Sequence, residues 1–515
     1  MDWTSGYVAE IDYTHGYYRE LAPGLIDFAL LTSGHLPPVR PGMRYLELGY
    51  GQGLSFNIHA AAAPGEYWGT DFNPVQAANA QTLAQVSGAD AHVFDDSFAD
   101  FAARTDLPDF DYIVLHGIWS WVSDENRQVL VDIMRDRLKV GGIVYFSFNT
   151  LPGWAAAMPL RHLMSTHMEA AGTHAQGMVS RIDAAIAFGN TLATSNARYF
   201  AANPTAKGRL DAIAGQNRNY LAHEYFNRDW TPMYFAEAHE WLTGAKLTFA
   251  APAAALEQLL AYNLSPEQRD VLLGISYDVL RETVRDYMLN QQFRRDLYSR
   301  GSRLLTPLER LDRMNDLVVT LMVDPAEVPF EVEAGLGKVG LREDIFRPVI
   351  EALAENDSAP KRIGDLAEHP AMAALPPGAL VEAVTVLIGA GRANLVQSAE
   401  AIDIAAPRCQ RLNAHLIERA RVSGDVTWLA SPVTGRGVEV DRFQQLFLAA
   451  RARGLKKPDD WARDAWSILA RQNQSLIKDG QMLATPDENV SELAQQARAF
   501  ADRRLTQLKR LGAVS

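Results

Sequence analysis

The sequence predicts an α/β protein built on a doubly wound parallel sheet, with a helical insertion and mostly helical accessory units. Three observations predict it. Between Arg44 and Asn149 short apolar runs alternate with helical stretches at a spacing that favours right-handed βαβ crossovers. Runs such as YIVL (Tyr112–Leu115) and IVYFSF (Ile143–Phe148) are apolar almost throughout rather than alternating, as when both faces of a sheet are covered. Finally, 515 residues are more than one compact core holds, since a domain usually takes roughly 100–200.

The first 40 residues are irregular but rich in aromatics: Trp3, Tyr7, Tyr13, Tyr17, Tyr18 and Phe28. Strands are predicted at Tyr45–Leu48, Tyr67–Thr70, Ala91–Phe94, Tyr112–Leu115 and Ile143–Phe148. Helices are predicted between them at Leu54–Ala62, Pro74–Val86 and Asp124–Leu138. Arm and sheet together make a unit over residues 1–157. After Pro152–Trp154 the pattern turns helical, which predicts an insertion over 158–232, and KLTFA (Lys246–Ala250) returns as a strand, so that 233–255 rejoin the sheet.

Residues 256–325 are expected to form a helical middle domain. Its basic stretch Arg281–Arg295 carries Asp286 and is followed by Asp296, which reads as a solvated or interdomain helix. A linker of little periodicity is expected over Asp324–Gly340. Within 326–400, helical segments near Ile345–Ala354, Ile363–Glu368 and Gly378–Ile388 precede a strand at Ala393–Val396, an order that resembles a winged helix. The third segment, with its C-terminal turn, offers only Arg392 as a cation, so a packing or partner-docking role is favoured over groove reading. Residues 401–515 read as mostly helical around a glycine-containing interruption, SPVTGRGVEV.

The chain carries 62 acidic and 49 basic residues, a net charge of −13, which argues against broad attraction to nucleic acid or anionic lipid. One cysteine, Cys409, excludes an intramolecular disulfide and a thiolate metal cage. Neither a secretory signal nor a membrane-spanning run is visible, and a cytoplasmic protein is expected. No HExxH, calcium-loop, Walker A or GxSxG pattern occurs, so no metal is implied.

The chemistry is concentrated in YLELGYGQG (Tyr45–Gly53), where an apolar strand runs through Glu47, Gly49, Gly51 and Gly53 straight into a helix. Glycines there permit a tight turn and close ligand approach. The carboxylate of Glu47 suits a ligand bearing an ammonium group better than a pyrophosphate. Asp71, with Phe72 after it, ends the next strand, where an acid accepts hydrogen bonds from ribose hydroxyls. Asp96, Ser97 and Phe98 follow the third strand, where an adenine would lie. Together these read as a site for S-adenosylmethionine, with a dinucleotide or a purely structural turn as the alternatives.

Residues 43–149 resemble the class I S-adenosylmethionine-dependent methyltransferases, a Rossmann-like fold. YTHGYYRELAP (Tyr13–Pro23), HGIWSWV (His116–Val122), NTLPGW (Asn149–Trp154), YLAHEYFNRDWTPMYF (Tyr220–Phe235) and QFRRDL (Gln292–Leu297) are similar to methyltransferases carrying a methyltransferase regulatory domain, among them rickettsial-type surface-protein lysine methyltransferases. The resemblance implies methyl transfer, most simply to lysine side chains of a protein. A small-molecule N- or O-methyltransferase, or a cofactor-binding regulatory protein without turnover, are the rivals. A homodimer is a further expectation.

HGIWSWV follows the fourth strand and should border the reacting methyl. The Asn/Asp-Pro-Pro-Tyr of many amino-group methyltransferases is absent there. His116 is a candidate proton acceptor or a loop-holding residue that also touches the cofactor. Trp119 and Trp121 are candidates to wall a methylammonium, or are loop anchors. Tyr17 and Tyr18, with Tyr13, form a lid or an arm packed on the sheet. Asn149, Pro152 and Trp154 are expected to point toward the site, while His223, Glu224, Tyr225 and Asn227 either line an acceptor channel or serve capping and interhelical bonds.

Overall fold

The computed structural model describes residues 15–39, 42–171 and 177–515; Trp3, Tyr7 and Tyr13 lie outside the described residues. The first part runs α1 (Pro23–Thr32), β1 (Arg44–Leu48), α2 (Leu54–Ala62), β2 (Glu66–Thr70), α3 (Pro74–Ser87), β3 (Ala91–Phe94), α4 (Phe98–Ala102), β4 (Phe110–Leu115), α5 (Asp124–Arg137) and β5 (Leu138–Asn149). The helical insertion follows: α6 (Met158–Ala171), α7 (Met178–Thr194), α8 (Arg198–Ala202), α9 (Pro204–Ala214) and α10 (Arg218–Tyr225). Then come α11 (Phe235–Thr243), β6 (Thr248–Pro252), α12 (Leu260–Asn263), α13 (Pro266–Leu273), α14 (Asp278–Leu289) and β7 (Phe293–Ser299).

The seven strands form one sheet in the order β3-β2-β1-β4-β5-β7-β6. Strands β1 to β5 are parallel, and β7 runs antiparallel to both β5 and β6. Their period of two sorts the side chains cleanly. Tyr45, Tyr67, Tyr112 and Tyr145 pack on one face with Ile26, Leu30 and Phe56. Leu46, Leu48, Ile113, Leu115 and Phe146 pack on the other with Leu130 and Met134 of α5 and Leu242 of α11. All nine residues of α2 are buried. Its far side meets α19 (Ala399–Arg419), where Ile58, Ala61 and Ala62 share a core with Cys409 and Leu412.

The expected helix over Arg281–Arg295 does not continue that far. Asn290 takes a left-handed conformation that closes α14 at Leu289, and 293–299, expected within an all-helical stretch, are an interior strand of the sheet. Charge on a buried strand is tolerated because it is paired locally. Arg294 is 3% exposed and donates to Asp296 at 2.7 Å, Asp286 at 2.6 Å and Glu282 at 2.8 Å. Its guanidinium also lies 4.3 Å from the Phe235 ring centroid.

Beyond the sheet lie α15 (Pro307–Asp316), β8 (Val318–Leu321), β9 (Glu331–Ala334), β10 (Gly337–Gly340), α16 (Glu343–Ser358), β11 (Lys361–Arg362), α17 (Ile363–Ala367), α18 (Ala379–Gly389) and β12 (Ala393–Leu395). The stretch read as a linker therefore holds the β9–β10 hairpin. The three helices and the strand β12 occur in the expected order. However, their small sheet is β11-β8-β12, with its central strand drawn from upstream, and β12 runs on into α19 rather than into a wing hairpin. After α19 come the hairpin β13 (Trp428–Ser431) and β14 (Arg436–Glu439), then α20 (Arg442–Ala452), α21 (Pro458–Arg471), α22 (Pro486–Ala499) and α23 (Leu505–Arg510).

Candidate active site

The strand order reverses between β1 and β4, so the loops at their carboxyl ends diverge and leave a crevice. Gly49 and Gly53, at φ +79° and +72°, sit where a side chain has no room. A Cβ on Gly49 would come within 2.3 Å of Ile118, and one on Gly53 within 2.4 Å of Ala80 in α3. The N–H of Gly51 donates to Asp71 Oδ2 at 2.9 Å, and the N–H of Asn73 donates to Asp71 Oδ1 at 3.1 Å. Glu47 is buried and accepts from the Tyr45 hydroxyl at 3.3 Å. Burial, with the Asp71 charge adding to it, pushes Glu47 up to about 8, despite the Tyr45 bond. Burial also pushes Asp71 up to about 7, against the two backbone N–H bonds.

A cavity of about 730 Å³ opens over this loop. Glu47, Gly49, Gly51, Asp71, Phe72, Asp96, Ser97, Phe98 and His116 all line it. Gly53 does not. It starts α2, and its missing side chain lets α2 and α3 pack, so its expected contact with a cofactor is corrected to a packing role. Asp96 pairs with Arg104 at 3.0 Å, and Ser97 caps α4 by accepting from the Asp100 N–H at 3.2 Å.

The five residues expected near the reacting atoms divide. Tyr18 lines the cavity with its ring 4.0 Å from that of His116. His116 Nδ1 lies 2.9 Å from the Tyr145 hydroxyl. Burial holds its imidazole down at about 4, with Arg295 lowering and Glu20 raising it, so it is neutral near pH 7. The tryptophans sit on a 3-10 turn, Trp119–Trp121, that sends them to opposite sides. Trp121 lines the cavity. Trp119 is fully buried against Phe146 and Trp241, with its indole N–H donating to Met233 Sδ, so it is an anchor and not a pocket wall. Tyr17 also departs from expectation. The arm is extended over residues 16–18, so Gly16 and Tyr18 face the cavity while Tyr17 points away. Its hydroxyl accepts from the Gly437 N–H at 2.6 Å and bonds His59 at 3.1 Å. It therefore ties the arm to the C-terminal unit.

The rest of the cavity lining comes from the end of β5 and the turn after it, from the insertion and from the start of β7. Trp154, His223, Glu224, Tyr225 and Asn149, all singled out in the sequence, line it together with Arg209, Gln216, Tyr220, Gln292 and Phe293, which were not. Asn227 does not; its amide donates to the His223 carbonyl at 2.8 Å. Arg209 stands 4.4 Å from the Trp154 ring centroid and donates to the Tyr225 hydroxyl at 2.7 Å. Burial raises Glu224 to about 7, with Arg209 and Arg161 opposing it. Asn149 carries a buried side-chain nitrogen with no hydrogen-bond partner among the described residues.

A methyltransferase-domain family model matches residues 46–144, and a model for a predicted methyltransferase regulatory domain matches 217–300. The uncharacterized protein sll1526 of Synechocystis is 37% identical over 515 residues, spanning 99% of this chain and all of that protein. The chain is an S-adenosylmethionine-dependent methyltransferase with a methyltransferase regulatory domain. The uncharacterized protein RP789 of Rickettsia prowazekii is 28% identical to the methyltransferase over 302 residues, 55% of this chain and 52% of that one. PKMT2 from Rickettsia typhi, solved in complex with AdoHcy, shares the fold at TM-score 0.69 and 18% identity, over 97% of this chain and 99% of that one.

The residues present fit the cofactor of such a methyltransferase. Glu47 and Asp71 are carboxylates 3% and 7% exposed, neither with a basic side chain as its hydrogen-bonding partner among the described residues. Buried acids of that kind suit a ligand bringing both a cationic ammonium and hydroxyl donors. Among the described residues no group of three or more His, Cys, Asp or Glu is arranged to hold a metal ion, and no helix is long and apolar enough to cross a membrane.

Proposed function

We propose that the methyltransferase modifies the side-chain amine of lysines in a protein substrate. The observation that supports this is the cavity wall, where Trp121, Trp154, Tyr220 and Tyr225 line the same space as Glu224. A carboxylate among aromatic faces attracts an ammonium, and aromatic faces accept the growing methylammonium by cation–π attraction, worth roughly 0.5–2 kcal/mol. With its carboxyl near 7, Glu224 takes a proton from the amine at neutral pH. His116, held near 4, is the weaker base and acts with Tyr18 as a wall that excludes water.

In this reading Glu47 and the Gly49–Gly51 turn hold the amino-acid end of the cofactor, Asp71 the ribose hydroxyls, and Phe72, Asp96, Ser97 and Phe98 the adenine. When bound there, S-adenosylmethionine supplies an electrophilic methyl group. The insertion and the units beyond residue 300 would form the platform for a macromolecular acceptor. The rickettsial-type resemblance and the full-length likeness in fold to PKMT2 support the same reading.

The test is methyl incorporation from labelled cofactor into a cell lysate, with and without protease treatment, followed by mass spectrometry of the labelled species. Label on lysine nitrogen in protein is the expected result. Label confined to a small metabolite, or to oxygen, rejects the lysine reading while leaving the methyltransferase intact.

A further inference from the structure

A second, larger cleft of about 1840 Å³ lies between the unit spanning β8 to β12 and the C-terminal helices. Its floor includes Arg436, contributed by the SPVTGRGVEV hairpin. Arg436 is 4% exposed, and its buried Nε has no hydrogen-bond partner among the described residues. Withdrawing a guanidinium from water without a counter-charge is costly, and native folds normally pair such a group. Burial accordingly drags Arg436 down to about 10.

The neighbours add to the imbalance. Arg19 and Arg392 border the same cleft; Arg19 donates to the Gly389 carbonyl and lies 3.7 Å from Glu20, whereas Arg392 has no carboxylate partner among the described residues. Arg504 and Arg510 direct donors to main-chain carbonyls, those of Met322 and Glu439 and those of Leu321 and Asp357. Acids line the cleft too: Asp324 and Asp441 accept from N–H groups at helix starts and Glu327 pairs with Arg503, while Asp357, Glu439 and Asp502 form no ion pair with its arginines among the described residues. The positive focus is therefore local, at Arg436 with Arg392 on the same cleft, inside a protein of net charge −13.

We propose that this cleft binds a phosphate-class oxyanion, with Arg436 as its anchor and Arg19 and Arg392 beside it. Guanidinium forks match phosphate geometry, and a buried guanidinium with an unsatisfied nitrogen, with Arg19 and Arg392 on the same cleft, suits a multiply charged anion better than a single carboxylate.

The test uses the full chain saturated with S-adenosylhomocysteine, so that the catalytic cavity is filled. Sodium pyrophosphate and inorganic phosphate are titrated by calorimetry and by thermal melting, with ionic strength held constant by chloride. Saturable one-site binding and a rising melting temperature are expected, weakened roughly tenfold or more in Arg436→Gln. Arg392→Gln, on the rim, should weaken binding to a lesser degree and provides a second reading should Arg436→Gln fail to fold. Absence of saturable binding in the wild type, or equal binding in every variant that folds, overturns the proposal. So does capture of a glutamate-rich peptide that pyrophosphate does not displace, which would make the cleft a seat for acidic polypeptide.

Discussion

The carboxyl of Glu47 should write a pH signature onto cofactor affinity. Free, it is held up at about 8 by burial, with the Asp71 charge adding to it. At pH 7 it would be about 90% protonated. An ammonium ligand pairs only with the ionised form, so binding must expel the proton, and affinity rises with pH until the free-state value is passed. For one such group the gain between pH 6 and pH 8 is roughly 50-fold, and about 0.9 proton is released per ligand bound at pH 7. Folding stability responds with the opposite sign. The native value lies above the ordinary 4.5, so this group's contribution to the ligand-free protein is present below 4.5 and is lost as pH rises through about 8. The assay is calorimetry with S-adenosylhomocysteine in buffers of different ionisation enthalpy, which counts protons directly. Glu47→Gln should remove about one proton from the count and flatten the profile above pH 7. A wild-type count near zero, or an unchanged count in Glu47→Gln, refutes the argument. Asp71, raised to about 7, titrates nearby, and Asp71→Asn separates its share.

Three further outcomes are expected. Trp119→Ala should cost about 3–5 kcal/mol of stability in urea melts, the usual result of emptying a fully buried aromatic site, whereas Trp121→Ala, at a residue that is buried but borders the cavity, should cost less stability, leave cofactor affinity near wild type and cut turnover. Glu224→Gln should preserve cofactor affinity while lowering turnover by about 10²–10⁴-fold, and should abolish the acid limb near pH 7 in the rate profile; unchanged turnover would remove it from the chemistry. Arg294→Met leaves Glu282, Asp286 and Asp296 without their shared cation and should lower stability by about 3–5 kcal/mol; a loss under 1 kcal/mol in denaturant melts would show the network to be solvated.

What the sequence disclosed followed the range of the interactions involved. Strands β4 and β5 were legible because near-continuous apolar runs report burial on both faces, β1 to β3 because short runs alternate with helices at βαβ spacing, and the cofactor loop because its glycines and acids act at fixed local spacing. β7 was hidden: FRRDL reads as solvated charge until Glu282 and Asp286, on α14, are known to meet Arg294. Trp119 and Trp121, two residues apart, gave no hint of which faced inward, since a single 3-10 turn decides it. Arg209, Tyr220 and Phe293 reach the cavity from the insertion and from β7, so only the assembled fold could bring them in.

The interior position of β7 imposes an order of manufacture. A ribosome completes β1 through β5 by Asn149, yet the outer edge of β5 keeps its unpaired peptide groups until Phe293–Ser299 emerge. An uncovered strand edge recruits other chains, so a nascent or truncated polypeptide ending before β7 is an aggregation hazard rather than a small working enzyme. The stretch matched as a regulatory domain, 217–300, contains β6 and β7 themselves. The matched stretch is therefore no removable appendage of this sheet, and an engineer cannot prune it to obtain a minimal catalyst without taking out two strands. Swaps between relatives should exchange the insertion at 158–225 and leave the returning strands in place.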